Sequence, residues 1–404
     1  MHVLFTTSPS VGHFHPLVPI ARALESAGHL VAFAALPSFA PRVEACGFRF
    51  FPVGPDVRDF LARPEMQEYV NETDPMAKRE LVRGYVNPVL LPQLILPDVM
   101  AWCESWTPDM IVTENYEFAG RVAAERFDVP HAALQVADYF GYGMRHDLVA
   151  PMDALRMSVG LSPDPDATML FRYVYLVNEP ESLLSDDDLP PTVFRCRRMV
   201  FDESGDERLP AWFSGLPPRP TVCATVGTAV NRTPGVLETF VAALRDEPVN
   251  AIVAIGRDRD PADFLPPSDN IHVERYIPLS LALPACDVLL SHCGRGTMFT
   301  ALDNGLPMVN VPIGMDQPEN AERCAALHLG ITVEPAALSV DAIRAAVRAV
   351  LADPSYGQNA RRIQTEMHAL PPPSAVVTLL EALARNKEPF ERLNHTPALR
   401  VADR

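Results

Sequence analysis

The sequence lacks several features, and each absence removes a class of protein. It has no Cys-x-x-Cys pair. Its seven cysteines are an odd number scattered over 404 residues. They read as small buried hydrophobes in a reducing cytoplasm, and not as a disulfide frame or a zinc site. Basic charge is short, with 34 Lys+Arg against 51 Asp+Glu. A nucleic-acid binder should carry a basic footprint, so nucleic acid is not expected as a partner. The chain enters an apolar run at His2–Phe5 without a basic leader, which predicts no signal peptide. No apolar run reaches the length of a membrane span. Short-period repeats are missing too. No strand is followed by G-x-G-x-x-G: Gly294-x-Gly296 has Phe299 at the third glycine position. The second strand also ends without an acid to hold a ribose. Together these exclude an ordinary nicotinamide-dependent dehydrogenase. The 41 prolines are many, but they punctuate loops and form no low-complexity tract.

What is present is alternation. The length makes two or three domains the expectation. Val3–Phe5 reads as a strand. Leu17, Ile20, Ala21 and Leu24 share one face of a helix, Gly28 is placed to end it, and Leu30–Ala34 is the next strand. Met110–Thr113 and a helix over Ala119–Arg126 follow. Two stretches between, about Asp56–Pro97 and Asp138–Asp188, are rich in Met, Phe and Tyr and read as irregular. Composition shifts over Asp202–Pro220, and alternation then restarts. Thr221–Val226 and Ala251–Ile255 are strands, Leu237–Leu244 is a helix, and Val340–Leu351 is a helix with Ser339 as its N-cap. We therefore expect an N-terminal domain at 1–205, a linker at 206–219, and a C-terminal domain at 220–374. A C-terminal helix and tail, 375–404, should pack back on the N-terminal domain. Two doubly wound α/β halves with parallel sheets place their functional loops at the carboxyl ends of the strands, facing a cleft.

The most informative motif is Ser291–Thr297, S-H-C-G-R-G-T, between a buried strand (Cys286–Leu290) and a helix (Met298–Leu302). Such a turn aims backbone N–H groups and a helix dipole at one point, which suits phosphate. His292 and Thr297 add side-chain donors. The bland alternative is tight packing by the glycines and a satisfied core histidine. Twenty residues on, after another buried strand at Met308–Val311, Asp316-Gln317-Pro318-Glu319-Asn320 supplies groups that could read hydroxyls. In the first half the turn after strand one is Gly12-His13-Phe14-His15-Pro16. Pro16 is expected to begin a helix, putting His13 at the helix N-terminus, where the dipole would keep it a neutral base. Its orienting carboxylate should be Glu114, with Glu117 second. His13 and His15 lack a third ligand, and Asp186–Asp188 reads as a solvated loop, so no metal site is expected.

These residues resemble those of a known family. Gly12–Pro16, Leu209–Trp212, Val226-Gly227-Thr228, Tyr276-Ile277-Pro278, Ser291–Thr297, Gly305-Leu306-Pro307 and Asp316…Ala321 occur in its order and spacing. The chain is similar to GT-B glycosyltransferases of the family 1 type, in the bacterial branch that decorates natural products. The resemblance implies two Rossmann-like domains facing across a cleft. It makes His13 the catalytic base and Glu114 its acidic partner. Thr228, His292, Gly294, Gly296 and Thr297 would hold the diphosphate, Tyr276 the base, and Asp316 and Gln317 the donor sugar. Phe60, Met66, Tyr85, Tyr139 and Phe140, from the aromatic and Met-rich stretches, would line an apolar acceptor pocket. Inverting transfer without metal or cofactor beyond the nucleotide-sugar cosubstrate is implied, and a homodimer is among the assemblies allowed. Two positions depart from the wider family. Leu279 stands where many members have Gln. Thr300 stands where UDP-sugar enzymes place a Glu on the ribose, which favours a dTDP-deoxysugar donor. The alternatives are a UDP-sugar enzyme of the same fold and a GT-B nucleotide-sugar epimerase. A third is a non-catalytic partner of another transferase, which the retained His13 and phosphate turn disfavour.

Overall fold

The computed structural model describes residues 1–136, 142–185, 189–202, 207–227, 233–264 and 268–391. Two wholly parallel sheets organise it. The first holds β1 (His2–Thr6), β2 (Leu30–Ala35), β3 (Arg49–Pro52), β4 (Met110–Glu114), β5 (His131–Leu134), β6 (Val174–Val177) and β7 (Val193–Arg195). Their order across the sheet is β3-β2-β1-β4-β5-β6-β7. The second holds β8 (Thr221–Thr225), β9 (Asn250–Ala254), β10 (Ile271–Glu274), β11 (Val288–Ser291), β12 (Met308–Asn310) and β13 (Gly330–Thr332), ordered β10-β9-β8-β11-β12-β13. The central strands are short apolar runs buried from end to end, as strands covered on both faces must be.

Each order reverses direction once among the described strands, between β1 and β4 in the first sheet and between β8 and β11 in the second. At such a switch point the two following loops part to opposite faces and leave a crevice at the carboxyl edge. Register fixes which residues meet there: Thr6 pairs with Thr113, and Thr225 with Ser291. The loops carrying His13 and Glu114 are thus neighbours, as are those carrying Gly227 and His292.

Locally determined elements sit where their patterns put them. The Val18–Ser26 helix buries Val18, Ile20, Ala21 and Leu24, and Gly28 follows it at φ +86°. Ser339 Oγ accepts from the Ala342 amide at the start of the Val340–Ala352 helix. The Pro373–Asn386 helix crosses to the first sheet, burying Val376, Val377, Leu380 and Leu383 in the core that also contains Leu17 and Leu24.

Three expectations need correction. Pro16 does not begin a helix: His13 lies on a separate four-residue helix, Val11–Phe14, and the next helix starts at Val18, with Pro19 in its first turn. His13 is in the last turn of that short helix, so the dipole argument for its neutrality lapses. The Asp56–Pro97 stretch is helical, not irregular. Pro88 falls inside a wide-turned π segment, Val82–Leu90, and Pro97 inside the Leu91–Trp106 helix. Helix is thus continuous over Pro75–Trp106, 32 residues long and apolar enough to cross a membrane by length and composition. More than half of that apolar window is buried within the protein, which is how a core helix passes the same test.

Candidate active site

The first switch point builds a histidine–carboxylate pair. Glu114 ends β4 and is wholly buried. Its Oε1 lies 3.0 Å from His13 Nδ1 and accepts from the Ser8 amide and hydroxyl. Its Oε2 accepts from the Tyr116 amide at 2.6 Å. Burial pushes the Glu114 carboxyl up, but the His13 charge and hydrogen bond, with those from Ser8 and Tyr116, hold it below the ordinary carboxylate range. Arg121 donates to the Glu114 carbonyl at 3.0 Å and to Thr113 Oγ1 at 3.0 Å, anchoring the strand end. The Tyr116 ring stands 6.0 Å from the imidazole. With Nδ1 set 3.0 Å from the Glu114 carboxylate, that nitrogen is the one to keep the proton, which leaves the lone pair on Nε2, the form a general base needs.

Glu117, the second candidate partner, does other work. Its carboxylate turns back onto the Ala119 and Gly120 amides and accepts from Thr6 Oγ1. It caps the Ala119–Phe127 helix from beneath, and burial pushes it up to about 7.

The second switch point builds the turn expected to hold an anion. β11 ends at Ser291, whose Oγ accepts from the Cys293 amide, and the helix Arg295–Asp303 begins after Gly294. The helix therefore starts three residues earlier than expected, and Gly296 and Thr297 lie in its first turn, where N–H groups have no intrahelical partner. Cys293 takes φ +61°, a conformation rare for a non-glycine residue, at the point where the chain reverses. The His292 ring is wedged between two glycines. A β-carbon on Gly227 would come within 2.7 Å of the ring, and one on Gly294 within 2.4 Å. Burial lowers His292 to about 4, so it is neutral. Its Nδ1 is buried and makes no hydrogen bond among the described residues.

Around this turn the expected donor groups divide. Asn320 Nδ2 donates to the Cys293 carbonyl and to Asp316 Oδ2, both at 3.1 Å, tying the polar cluster to the anion turn. Gln317 Oε1 accepts from the Ile313 and Gly314 amides, so any ligand contact falls to its amide nitrogen. Tyr276 follows β10, and the Arg257 guanidinium covers one face of its ring at 4.4 Å. Thr300 is buried and its Oγ1 donates to the Gly296 carbonyl at 2.9 Å. Thr228 lies outside the described residues, as do Asp186–Asp188. Among the described residues no group of three or more His, Cys, Asp or Glu could hold a metal ion.

The acceptor expectations fare unevenly. Phe60 and Met66 are buried in the N-terminal core with Ile95 and Leu96. Tyr85 is exposed on the π segment. Tyr139 and Phe140 lie outside the described residues.

Sequence reasoning missed the links between domains. Glu179, after β6, is fully buried and contacts Arg295 Nη2 and, at 3.2 Å, Arg323 Nη1. Arg79 pairs with Glu319 at 2.5 Å, and Pro75 abuts Gly314. Only pairing across the cleft identifies these residues, and no local pattern marks them.

Two parallel-sheet domains, with a histidine–carboxylate pair at one switch point and a glycine-bearing turn at a helix start at the other, define the class. Residues 22–227 match the erythromycin biosynthesis protein CIII-like N-terminal domain, and residues 240–383 match its C-terminal domain. The chain belongs to this family and is a GT-B glycosyltransferase of the bacterial natural-product type. It is similar to the 3-alpha-mycarosylerythronolide B desosaminyl transferase of Saccharopolyspora erythraea, 26% identical over 96% of this chain and 99% of the relative. It is 28% identical to the 10-deoxymethynolide desosaminyltransferase of Streptomyces venezuelae, over 95% and 97%. Among solved structures, glycosyltransferase VinC in complex with dTDP matches with a TM-score of 0.79 at 26% identity, covering 95% of this chain and 100% of that one. SsfS6 of Streptomyces sp. SF2575, complexed with thymidine diphosphate, matches with a TM-score of 0.74 at 27% identity, covering 95% and 99%.

Proposed function

We propose that this enzyme moves a deoxysugar from a dTDP-sugar to a hydroxyl of an apolar natural product, with inversion and without a metal ion. The observation that carries the reading is the His13–Glu114 pair at the switch point of the acceptor-side domain. His13 Nε2 takes the proton of the acceptor hydroxyl. The hydroxyl oxygen attacks the anomeric carbon from the face opposite the diphosphate. The bond from that carbon to the β-phosphate oxygen breaks, and its electron pair leaves with dTDP. One displacement inverts the anomeric centre. The charge that builds on the diphosphate is met by the N–H groups at the Arg295–Asp303 helix start, by Thr297 and by neutral His292.

Three observations support dTDP over UDP. Thr300 spends its hydroxyl on the Gly296 carbonyl, so no carboxylate is available there to grip a ribose diol. The similar VinC and SsfS6 structures are complexes with dTDP. The similar desosaminyl transferases are named for a deoxysugar. A cytoplasmic setting belongs to this reading and is supported by seven cysteines in the thiol form.

The test is competition in a transfer assay with dTDP and UDP as product inhibitors, run with and without EDTA. Stronger inhibition by dTDP and activity that survives chelation are expected. UDP inhibiting at tenfold lower concentration would overturn the donor assignment. Loss of activity in EDTA, restored by Mg²⁺, would overturn the metal-free mechanism. Donor consumption at full rate without any acceptor would favour an epimerase or hydrolase.

A further inference from the structure

We propose that Arg198, from the N-terminal domain, binds the diphosphate of the nucleotide sugar and stabilises it as it leaves. This rests on the donor-site reading above and adds a residue to it. Arg198 follows β7 on the chain leading to the second domain, yet its guanidinium reaches the Arg295–Asp303 helix that follows the anion turn. Its Nη2 is 3.9 Å from the place a β-carbon would occupy on Gly296. Its Cζ lies 5.3 Å from the centre of the Phe299 ring, which Arg295 also contacts at 5.0 Å.

The charges around it do not balance. Arg198, Arg295 and Arg323 gather beside this helix. Glu179 contacts the latter two, and among the described residues no carboxylate forms an ion pair with Arg198. Arg198 Nη1 is buried and makes no hydrogen bond among the described residues. Burial first, and then the charge of Arg295, lower Arg198 to about 10 against the weaker pull of Glu179 and Asp303. A partly buried cation whose inner donor is unused, beside a second cation and a positive helix end, is costly unless an anion joins it. The protein carries a formal net charge of −17, so this concentration of positive charge runs against its overall balance. A diphosphate supplies the missing charge, and its oxygens match the planar fork of a guanidinium.

The role is electrostatic and Arg198 keeps its proton throughout. As the bond from the anomeric carbon to the β-phosphate oxygen breaks, the electron pair moves onto the diphosphate. A guanidinium from one domain and N–H groups from the other then hold it from two sides. The rival is packing alone, with Arg198 stacked on Phe299 as a brace between domains.

Calorimetric titration of Arg198→Gln with dTDP, dTMP and thymidine separates the two. The variant should bind dTDP about 10–100-fold more weakly than wild type. It should bind thymidine unchanged and show a fall in kcat with the nucleotide sugar. Arg198→Lys should recover part of the dTDP affinity. Equal loss for all three ligands, or dTDP affinity and kcat within threefold of wild type, would overturn the proposal. If Arg198→Gln does not fold, the ratio of dTDP to thymidine affinity is read in Arg198→Lys, and a ratio equal to wild type overturns it. Wild-type affinities for dTDP and UDP test the donor reading separately. If UDP proves the true ligand, the same ratio is measured with UDP and uridine.

Discussion

His13 and Glu114, a hundred residues apart in the chain, meet across the seam between β1 and β4 with Nδ1 3.0 Å from Oε1. The carboxylate is wholly buried while the imidazole keeps some exposure, so one side of the pair is locked and the other opens outward. Three donors from Ser8 and Tyr116 hold the carboxylate in place before His13 is counted. The histidine is therefore aimed by a rigid group, as an efficient base must be.

Replacing His13 by alanine removes the proposed proton acceptor and leaves the second sheet untouched. Turnover should fall about 10²–10⁴-fold while dTDP affinity stays at the wild-type value. Steady-state kinetics with calorimetry checks this. Near-normal turnover on a hydroxyl acceptor would sink the assignment.

Glu114→Ala acts on stability as well as rate. It strands the Ser8 and Tyr116 donors in a buried site, at a cost of about 1–3 kcal/mol for each donor left unsatisfied. Thermal denaturation should show a clear drop in Tm, whereas His13→Ala should show little. Equal melting of the Glu114 variant and wild type would mean that those hydrogen bonds carry no load.

A methyl group at Gly294 has no room beside His292. Gly294→Ala should swing the imidazole away and weaken dTDP binding, with the fold intact by circular dichroism. Gly227→Ala should do the same and melt earlier, because Gly227 also sits at φ +68°. Unchanged dTDP affinity in both would show that the ring position is immaterial to the donor.

Stability should fall on mild acidification. Burial depresses His15 to about 4, His131 to about 3 and His292 to about 4, with the arginines near His15 and His131 adding to it. Each is neutral when folded and protonates near 6.5 when unfolded, so its contribution is present above pH 6.5 and is lost as pH falls through the folded value. Glu117 opposes this: raised to about 7, it favours the folded state at low pH and loses that advantage as pH rises from 4.5 to 7. The smaller upward shifts of Glu25, Glu125 and Asp202 oppose the loss and the lowered His272 adds to it, but the largest shifts, three histidine protons against the one of Glu117, leave the unfolded chain binding more protons between pH 4.5 and 6.5. Each is worth about 1.4 kcal/mol per pH unit. Glu114, held low, adds a further loss in stronger acid. Denaturant midpoints measured from pH 7 to 4.5 should decline steadily, and a flat profile would contradict the buried neutral histidines.

The elements that sequence determined by itself are those made by neighbours. The Val18–Ser26 helix with Gly28 behind it, the Ser339-capped helix and the apolar strands β1, β4 and β8 follow from periodicity and capping within a few residues. His13, Glu114 and the Ser291–Thr297 turn were legible for the same reason, since each lies at the end of a readable strand. Tertiary structure decided the rest. It gave Glu117, the second candidate, a different task, because the β1–β4 register sets Glu114 beside His13 while the helix amides claim Glu117. It folded Asp56–Pro97 into helix despite its prolines, because packing over Phe60, Met66, Ile95 and Leu96 outweighs local preference. It turned Gln317 Oε1 onto its own loop, and it brought Arg198, Glu179, Arg295 and Arg323 together from two domains. Periodicity reports which face of an element is buried. It does not report which distant charge will share that burial, because that depends on register and domain contact across more than a hundred residues.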